Sequence, residues 1–312
     1  MPELRKDYIL DRWVIIATER AKRPQEFKKE VRKYKENVCT FCPGNEASTP
    51  EERAVLKKNG KWKIRVFLNK YPAVKLAGDF HIKTHNIFYT FADAYGVHEV
   101  LVETPDHSKQ IWDLSTEDLQ EIFKMYLVRI KALSAQVGIS YVQVFKNHEE
   151  AAGTSIHHTH SQIIAYDTIP SLVRDELQAV SKYPSCPYCS IVQSEKNSYR
   201  RCFENETCIA FTPYASRFPF EILLLPKKHT TTLDQLENLS DFVDILKKVL
   251  NKLKELNAPF NYVLHYAPTG TNLHIHLEIL PRLTIWAGFE YSGTIINPLP
   301  PEDAAKFYRE EQ

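Results

Sequence analysis

Residues 155–165 read SIHHTHSQIIA, with His157, His158 and His160 inside four positions, Gln162 two further on and an apolar run behind. On an extended strand, residues two apart share a face. His158, His160 and Gln162 would therefore line one face, and His157 the other. If His158 binds a metal, His160 is left free beside a glycine-containing loop, KNHEEAAGTS. A neutral imidazole is a good nucleophile toward phosphorus when its second nitrogen carries a proton held by a fixed acceptor. The glutamine amide can donate to a phosphate oxygen, but it has no proton to give a leaving group. A hydrolase expelling an alkoxide or amine wants an acid at that place, whereas a departing phosphate needs none. His-x-His-x-Gln therefore points to transfer of a nucleotidyl group between phosphates. The alternative is that all three histidines are ligands or solvated strand-end residues.

Two Cys-x-x-Cys pairs, Cys39/Cys42 and Cys186/Cys189, offer a second kind of chemistry. Zinc takes four tetrahedral thiolate or imidazole ligands, and Cys-x-x-Cys supplies two from one turn. In the first half the other two would be His107 and one histidine of the 158/160 pair. The parallel set in the second half is Cys186, Cys189, His229 and His274. A redox pair is the competing reading, although no thioredoxin-like context surrounds either motif. A ribbon joining all four cysteines would leave the histidines unexplained.

The elements that must hold these residues occur twice in one order. CTFC (39–42), a strand ending near His107, a helix from Ser115 stopping at Gly138, a strand YVQVF (141–145), a loop with Gly153 and the pair His158/His160 make the first set. CPYC (186–189), a strand ending at His229, a helix from near Ser240 stopping around 257–259, a strand NYVLHY (261–266), a loop with Gly270 and the pair His274/His276 make the second. Both helices carry apolar residues at helical spacing. The repetition predicts an α+β fold of two duplicated units, mostly antiparallel sheets with one long helix per half. The boundary falls within 168–184, giving halves of 1–170 and 171–312.

Bulk properties set limits. The 312 residues suffice for one large domain or two of ordinary size. A net charge of +1 gives no case for a nucleic-acid or acidic-membrane partner. The start MPELRKDYILDRW has no apolar signal core, and no run of about 18 apolar residues follows. A cytoplasmic protein is expected, a compartment where paired cysteines serve as ligands more readily than as disulfides.

The motifs RWVIIATERAKRP, CTFCPGN, FLNKYPAV, ETPDHSK, YVQVFKN, HTHSQ, FPFEILLLPKKH, LHIHLEILPR and GFE, in that order, resemble the galactose-1-phosphate uridylyltransferase branch of the histidine triad superfamily. The resemblance covers nearly the whole chain. It implies a homodimer that moves UMP between UDP-glucose and galactose 1-phosphate through a covalent nucleotidyl-histidine. Carried over residue by residue, His160 matches the nucleophile, Gln162 the phosphate-binding glutamine, and Cys39, Cys42, His107 and His158 the structural zinc ligands. Arg20, Arg23, Asn69, Asn147, Gly153 and Ser155 match positions around the nucleotide and its phosphates, and Phe289 and Glu290 match positions that contact the hexose. A solvated turn is the competing reading for the last two.

Three departures qualify the match. Some members hold a second metal through residues that would be Glu176, His265, His274 and His276; all are present, but so is CPYC, and symmetry with the first half favours the cysteine set. Ile156-His157 stands where Asn-Pro is usual, and the tail YSGTIINPLPPEDAA lacks an expected hexose-binding glutamine. The HSQ form, the second cysteine pair and this tail look closer to a sub-branch that includes ADP-glucose phosphorylase, in which adenylyl replaces uridylyl. In the second half Glu278 occupies the place of Gln162, and a carboxylate would repel phosphates. That half is expected to be structural, with two zinc ions per chain. A dinucleotide phosphorylase or hydrolase of the same superfamily, and a non-catalytic zinc-stabilised protein, are the competing functions.

Overall fold

The computed structural model describes residues 2–18, 38–78 and 81–311; Arg20 and Arg23 lie outside them. In chain order the strands of the first half are β1 (Glu3–Lys6), β2 (Trp13–Ile16), β3 (Glu52–Lys58), β4 (Lys61–Leu68), β5 (Lys83–Thr84), β6 (Thr90–Phe91), β7 (Gly96–Val102), β8 (Tyr141–His148) and β9 (His160–Tyr166), with helix α1 (Thr116–Ser134) between β7 and β8. Two short helices follow, α2 (Ser171–Val180) and α3 (Pro187–Glu195). The second half runs β10 (Arg201–Glu204), β11 (Cys208–Phe211), β12 (Ile222–Pro226), α4 (Leu239–Glu255), β13 (Phe260–His265), β14 (His276–Pro281), α5 (Gly288–Tyr291), β15 (Ile295–Asn297) and α6 (Pro301–Arg309).

Ten strands form one sheet in the order β10-β11-β12-β14-β13-β8-β9-β7-β4-β3. Every neighbour pair in it is antiparallel. Counted from its outer edge, each half places its strands in chain order first, second, third, fifth, fourth, so the duplication seen in the motifs is also a duplication of topology. The halves meet where β8 pairs with β13, from Phe260 opposite His148 to Leu264 opposite Val144. This joins two five-stranded units edge to edge, and both inner edges are satisfied by each other.

The long helices form where the apolar spacing places them. Ser115 accepts from the Asp118 N–H, and the Asp118 carboxylate accepts from the Ser115 N–H, a capping box that starts α1. Leu119, Ile122, Phe123, Tyr126 and Leu133 bury its inner face. In α4 the Asn238 cap precedes Phe242, Val243, Leu246, Val249, Leu250 and Leu253, all fully buried. α1 and α4 pack together on one side of the sheet, and the main core lies between them and the strands. At Gly96 the chain runs so close to β9 that a Cβ would sit 2.0 Å from the Ala165 carbonyl oxygen.

β1, β2 and β15 make a separate three-stranded sheet, with β15 parallel to β2. The first strands are fixed to the second half: Arg5 forms a two-oxygen ion pair with Glu302 of α6 at 2.9 and 3.0 Å, and the Tyr8 hydroxyl donates to Glu195 of α3. No helix among the described residues is long and apolar enough to cross a membrane.

Candidate active site and metal centres

Strand alternation divides β9 between the two faces of the sheet. Ser161, Ile163 and Ala165 point to the helices, where the Tyr126 hydroxyl donates to Ser161 Oγ at 2.6 Å. His160 and Gln162 point the other way. His160 Nδ1 lies 2.9 Å from the His158 carbonyl oxygen, and a carbonyl can only accept. The ring proton is therefore on Nδ1, and Nε2 carries a lone pair. Burial, and next the Lys146 ammonium, push the pKa of His160 down to about 4. The imidazole is thus neutral at ordinary pH, with the tautomer a nucleophile toward phosphorus requires. The Phe41 ring meets it edge-on at 5.4 Å between centroids.

Gln162 is the second member of the site. Its Oε1 accepts from His98 Nε2 at 2.8 Å. Asn69 lies beside the same imidazole, its Nδ2 3.2 Å from His98 Nε2. Asn147, on the last turn of strand before the loop, has its Oδ1 taken by Asn261 Nδ2 at 2.9 Å, and Asn261 also donates to the Ala152 carbonyl at 2.7 Å. Asn261 thereby commits the Asn147 oxygen, leaves its NH2 beside Gly153, 3.7 Å from where a Cβ there would sit, and holds the loop at Ala152. Gly153 in that loop has φ +94°, which an L side chain rarely adopts, and Ser155 is exposed. Two cavities flank the pair on this face, one of about 320 Å³ lined by Phe145, Asn147, Ile164 and Asn261, the other of about 150 Å³ lined by Asn69, Val74, Gly96 and His98.

Beneath β9, on the helix side, lies a buried polar layer. Lys146 Nζ donates to Glu103 at 2.7 Å, to Thr159 Oγ1 at 2.9 Å and to the His160 carbonyl at 2.9 Å. Glu103 also accepts from Ser161 Oγ at 2.9 Å. Tyr126 continues the layer to Tyr262 of β13 at 2.6 Å, across the seam. His98, Asn261, Lys146 and Glu103 were not identifiable as site residues from the sequence. Their partners lie on neighbouring strands, and only the strand order brings them together.

Cys39, Cys42, His107 and His158 converge, with one ligand atom from each within 4.8 Å of the others. Cys39 and Cys42 Sγ lie 3.6 Å from His158 Nδ1, and Cys42 Sγ lies 3.4 Å from His107 Nδ1. Tetrahedral zinc with ordinary bond lengths separates sulfur and nitrogen ligands by about 3.6 Å, so the donor set fits that ion. His158 donates its Nε2–H to the Thr104 carbonyl at 2.7 Å, which leaves Nδ1 unprotonated toward the cysteines.

The second set, Cys186, Cys189, His229 and His274, converges in the same way, with sulfur–nitrogen distances of 3.6 to 3.8 Å. His274 Nε2–H donates to the Pro226 carbonyl at 3.0 Å, and His229 Nε2–H to Asn272 Oδ1 at 2.6 Å. Here Cys186 immediately precedes α3 and Cys189 sits in its first turn. His274 is thus turned to the cysteines. Glu176, His265 and His276 form a separate cluster, in which His265 Nδ1 lies 3.0 Å from Glu176 Oε2.

His276 is the counterpart of His160 and keeps its tautomer, donating Nδ1–H to the His274 carbonyl at 2.9 Å. Its Nε2, however, faces Glu176 Oε1 of α2 at 3.6 Å, and Tyr188 stacks on the ring at 4.9 Å. Glu278, in the place of Gln162, is ion-paired to buried Arg217 at 2.8 Å. This copy of the motif is covered and neutralised from within. Phe289 and Glu290 lie on α5, which packs on β15 in the small sheet, and the Glu290 carboxylate accepts from the Ala287 N–H.

Comparison with known proteins agrees with this geometry. A family model described as galactose-1-phosphate uridyl transferase, N-terminal domain, matches residues 1–170, and a model of a domain of unknown function matches residues 102–307. The chain is 34% identical over 330 residues to an ADP-glucose phosphorylase of Arabidopsis thaliana, covering 99% of this chain and 93% of that one. It is 29% identical over 335 residues to a galactose-1-phosphate uridylyltransferase of Thermotoga maritima, covering 100% and 99%. A crystal structure of the Arabidopsis thaliana ADP-glucose phosphorylase with bound ADP-glucose matches with a TM-score of 0.84 at 33% identity, over 100% of both chains.

Proposed function

Because the chain belongs to the galactose-1-phosphate uridylyltransferase family, we propose that it moves a nucleotidyl group between a nucleotide sugar and a phosphate acceptor through a covalent nucleotidyl-His160. One observation carries the reading: the His160 proton is held on Nδ1 by the His158 carbonyl, which leaves Nε2 as a neutral lone pair beside Gln162. In the first step Nε2 bonds to the α-phosphorus, and the bond from that phosphorus to the oxygen of the hexose 1-phosphate breaks. The leaving group departs as a phosphate monoester and takes no proton. The positive charge left on the imidazole is steadied through Nδ1–H by the carbonyl. In the second step an oxygen of the incoming phosphate attacks the same phosphorus, and the histidine leaves neutral. The Gln162 and Asn147 amides, whose oxygens are both occupied, offer NH2 groups to the phosphate oxygens. Asn69, Gly153 and Ser155, with Arg20 and Arg23, complete the phosphate and nucleotide contacts in this reading, and Phe289 and Glu290 contact the hexose.

Uridylyl transfer from UDP-glucose to galactose 1-phosphate is the main form of the reaction. The Arabidopsis thaliana relative favours a second form, in which adenylyl moves from ADP-glucose to phosphate. The intact mass of the protein after incubation with each nucleotide sugar tests both at once. A UMP or AMP adduct that maps to His160 is expected, and its identity names the base. An unmodified protein with both sugars, or full transferase activity in His160→Gly, overturns the mechanism.

The two Cys-Cys-His-His sets would each hold a zinc ion whose contribution is structural, cross-linking the turn at 39–42 to the start of β9 and α3 to the start of β14. Residues 1–170 form the catalytic half of the reading, and 171–312 the structural and substrate-contributing half. A homodimer is supported by apolar side chains that the protomer leaves exposed, Ile87, Phe88 and Tyr89 by the β5–β6 hairpin and Tyr291 on α5. Reduced thiols at both zinc sets suit the cytoplasm.

A further inference from the structure

We propose that His98 is the positioning residue for Gln162, holding the amide so that its NH2 and not its oxygen meets the phosphate. This rests on the reading of His160 as nucleophile and Gln162 as phosphate donor. His98 lies on β7 two residues before Val100, the register partner of Gln162. Its Nδ1 lies 3.2 Å from the Ala73 backbone nitrogen, which can only donate, so the ring proton sits on Nε2. Nε2–H then donates to Gln162 Oε1 at 2.8 Å. Half a turn of the Gln162 amide would set its NH2 against that N–H, two donors face to face. The oxygen is therefore committed, and the NH2 is what remains for a ligand. Phosphate oxygens only accept at neutral pH, so this orientation binds them and the flipped one repels them.

The surroundings hold the imidazole in this state. Burial keeps the pKa of His98 below its ordinary value, which keeps Nδ1 free to accept. Asn69 Oδ1 is taken by the Tyr71 N–H at 2.9 Å, so Asn69 turns its NH2 to His98 Nε2 at 3.2 Å and does not compete as an acceptor. The Ala73 N–H on Nδ1 decides the tautomer, and the Nε2 proton points along the shorter 2.8 Å contact to Gln162 Oε1. The loop 69–73 thus fixes a tautomer, the tautomer fixes an amide, and the amide faces the reacting phosphate.

The test is single-turnover nucleotidylation of His160 in the zinc-loaded protein, followed by intact mass with UDP-glucose and with ADP-glucose. His98→Ala is expected to slow the step by about 10²-fold, as loss of alignment at a reacting centre does, with little change in KM. His98→Gln places an amide N–H near the position of Nε2 and is expected to recover most of the rate. His98→Glu presents an acceptor, turns the Gln162 amide over, and is expected to stay slow. In a Gln162→Ala background His98→Ala should add no further loss. Wild-type speed in His98→Ala, or an equal slowing by His98→Ala in the Gln162→Ala background, overturns the proposal. If His98→Ala does not fold, the Gln-against-Glu comparison decides, and equal rates in those two overturn it. The absence of any adduct in the wild type refutes the nucleophile reading itself. The His98 tautomer, read by nitrogen-15 NMR of the imidazole, then still tests this proposal: a proton on Nδ1 overturns it.

Discussion

Lys146 and Glu103 form a buried ion pair against β9, with side chains 1% and 0% exposed. Removing one member of such a pair strands the other without water, at a cost of about 3–5 kcal/mol. Lys146→Met should therefore lower unfolding stability by about that much in urea titrations, and Lys146→Met with Glu103→Gln should recover part of it. A loss no larger than that of a surface substitution would show that the pair is not held as described. At this scale the sequence is informative only along a strand. The residues His158, His160 and Gln162 share β9 or the turn before it, so spacing alone ranks them. His98, Asn261 and Lys146 each act on a partner across a strand boundary, and no count of intervening residues contains that information. The same holds for His276, whose motif copies that of His160 while the Glu176 carboxylate that faces it comes from α2.

At the scale of elements, each Cys-Cys-His-His set brings a distant segment against the residues that lead into a histidine-bearing strand. The contacts of Cys39 and Cys42 with His158 span 119 and 116 residues. Cys42→Ser should remove one zinc per chain, counted by plasma mass spectrometry, and should slow nucleotidylation because the turn that carries Phe41 loses its hold on the His160 ring. Cys186→Ser should remove the other zinc and lower the melting temperature while leaving the rate of the chemical step near wild type. Unchanged zinc content in Cys186→Ser would assign the second ion to other ligands. The elements themselves were largely legible. Ser115 with Asp118 marks the start of α1, and the apolar stripes mark the inner faces of α1 and α4. The helical setting of Cys186 and Cys189 was not, since Pro187 can open a turn or a helix equally well.

The whole molecule is a sheet with a seam. Duplicated motifs foretell two like units, but the pairing of β8 with β13 joins residues more than a hundred positions apart and leaves no local mark on either strand. Tyr126 and Tyr262 carry the polar layer over the same seam. Residues 1–170 expressed alone would expose the whole β8 edge and leave β1 and β2 without β15, Glu302 and Glu195. Such a fragment is expected to aggregate, or to recover only on addition of the other half, as size-exclusion chromatography would show. A well-behaved monomer would mean that each half is self-sufficient.

The ion pair of Arg5 with Glu302 has a consequence for the order in which the chain can be written. It brings the first strand to the start of α6, the last helix of the described chain, so a glycine linker long enough to run back along that helix could join the two ends. New ends could then be opened between β9 and α2, at 167–170. The circular permutant would begin at α2 and finish at Tyr166, with every strand still beside its present neighbours. It should fold with both zinc sets intact and form the same His160 adduct, because the site depends on the sheet and not on where the polypeptide starts.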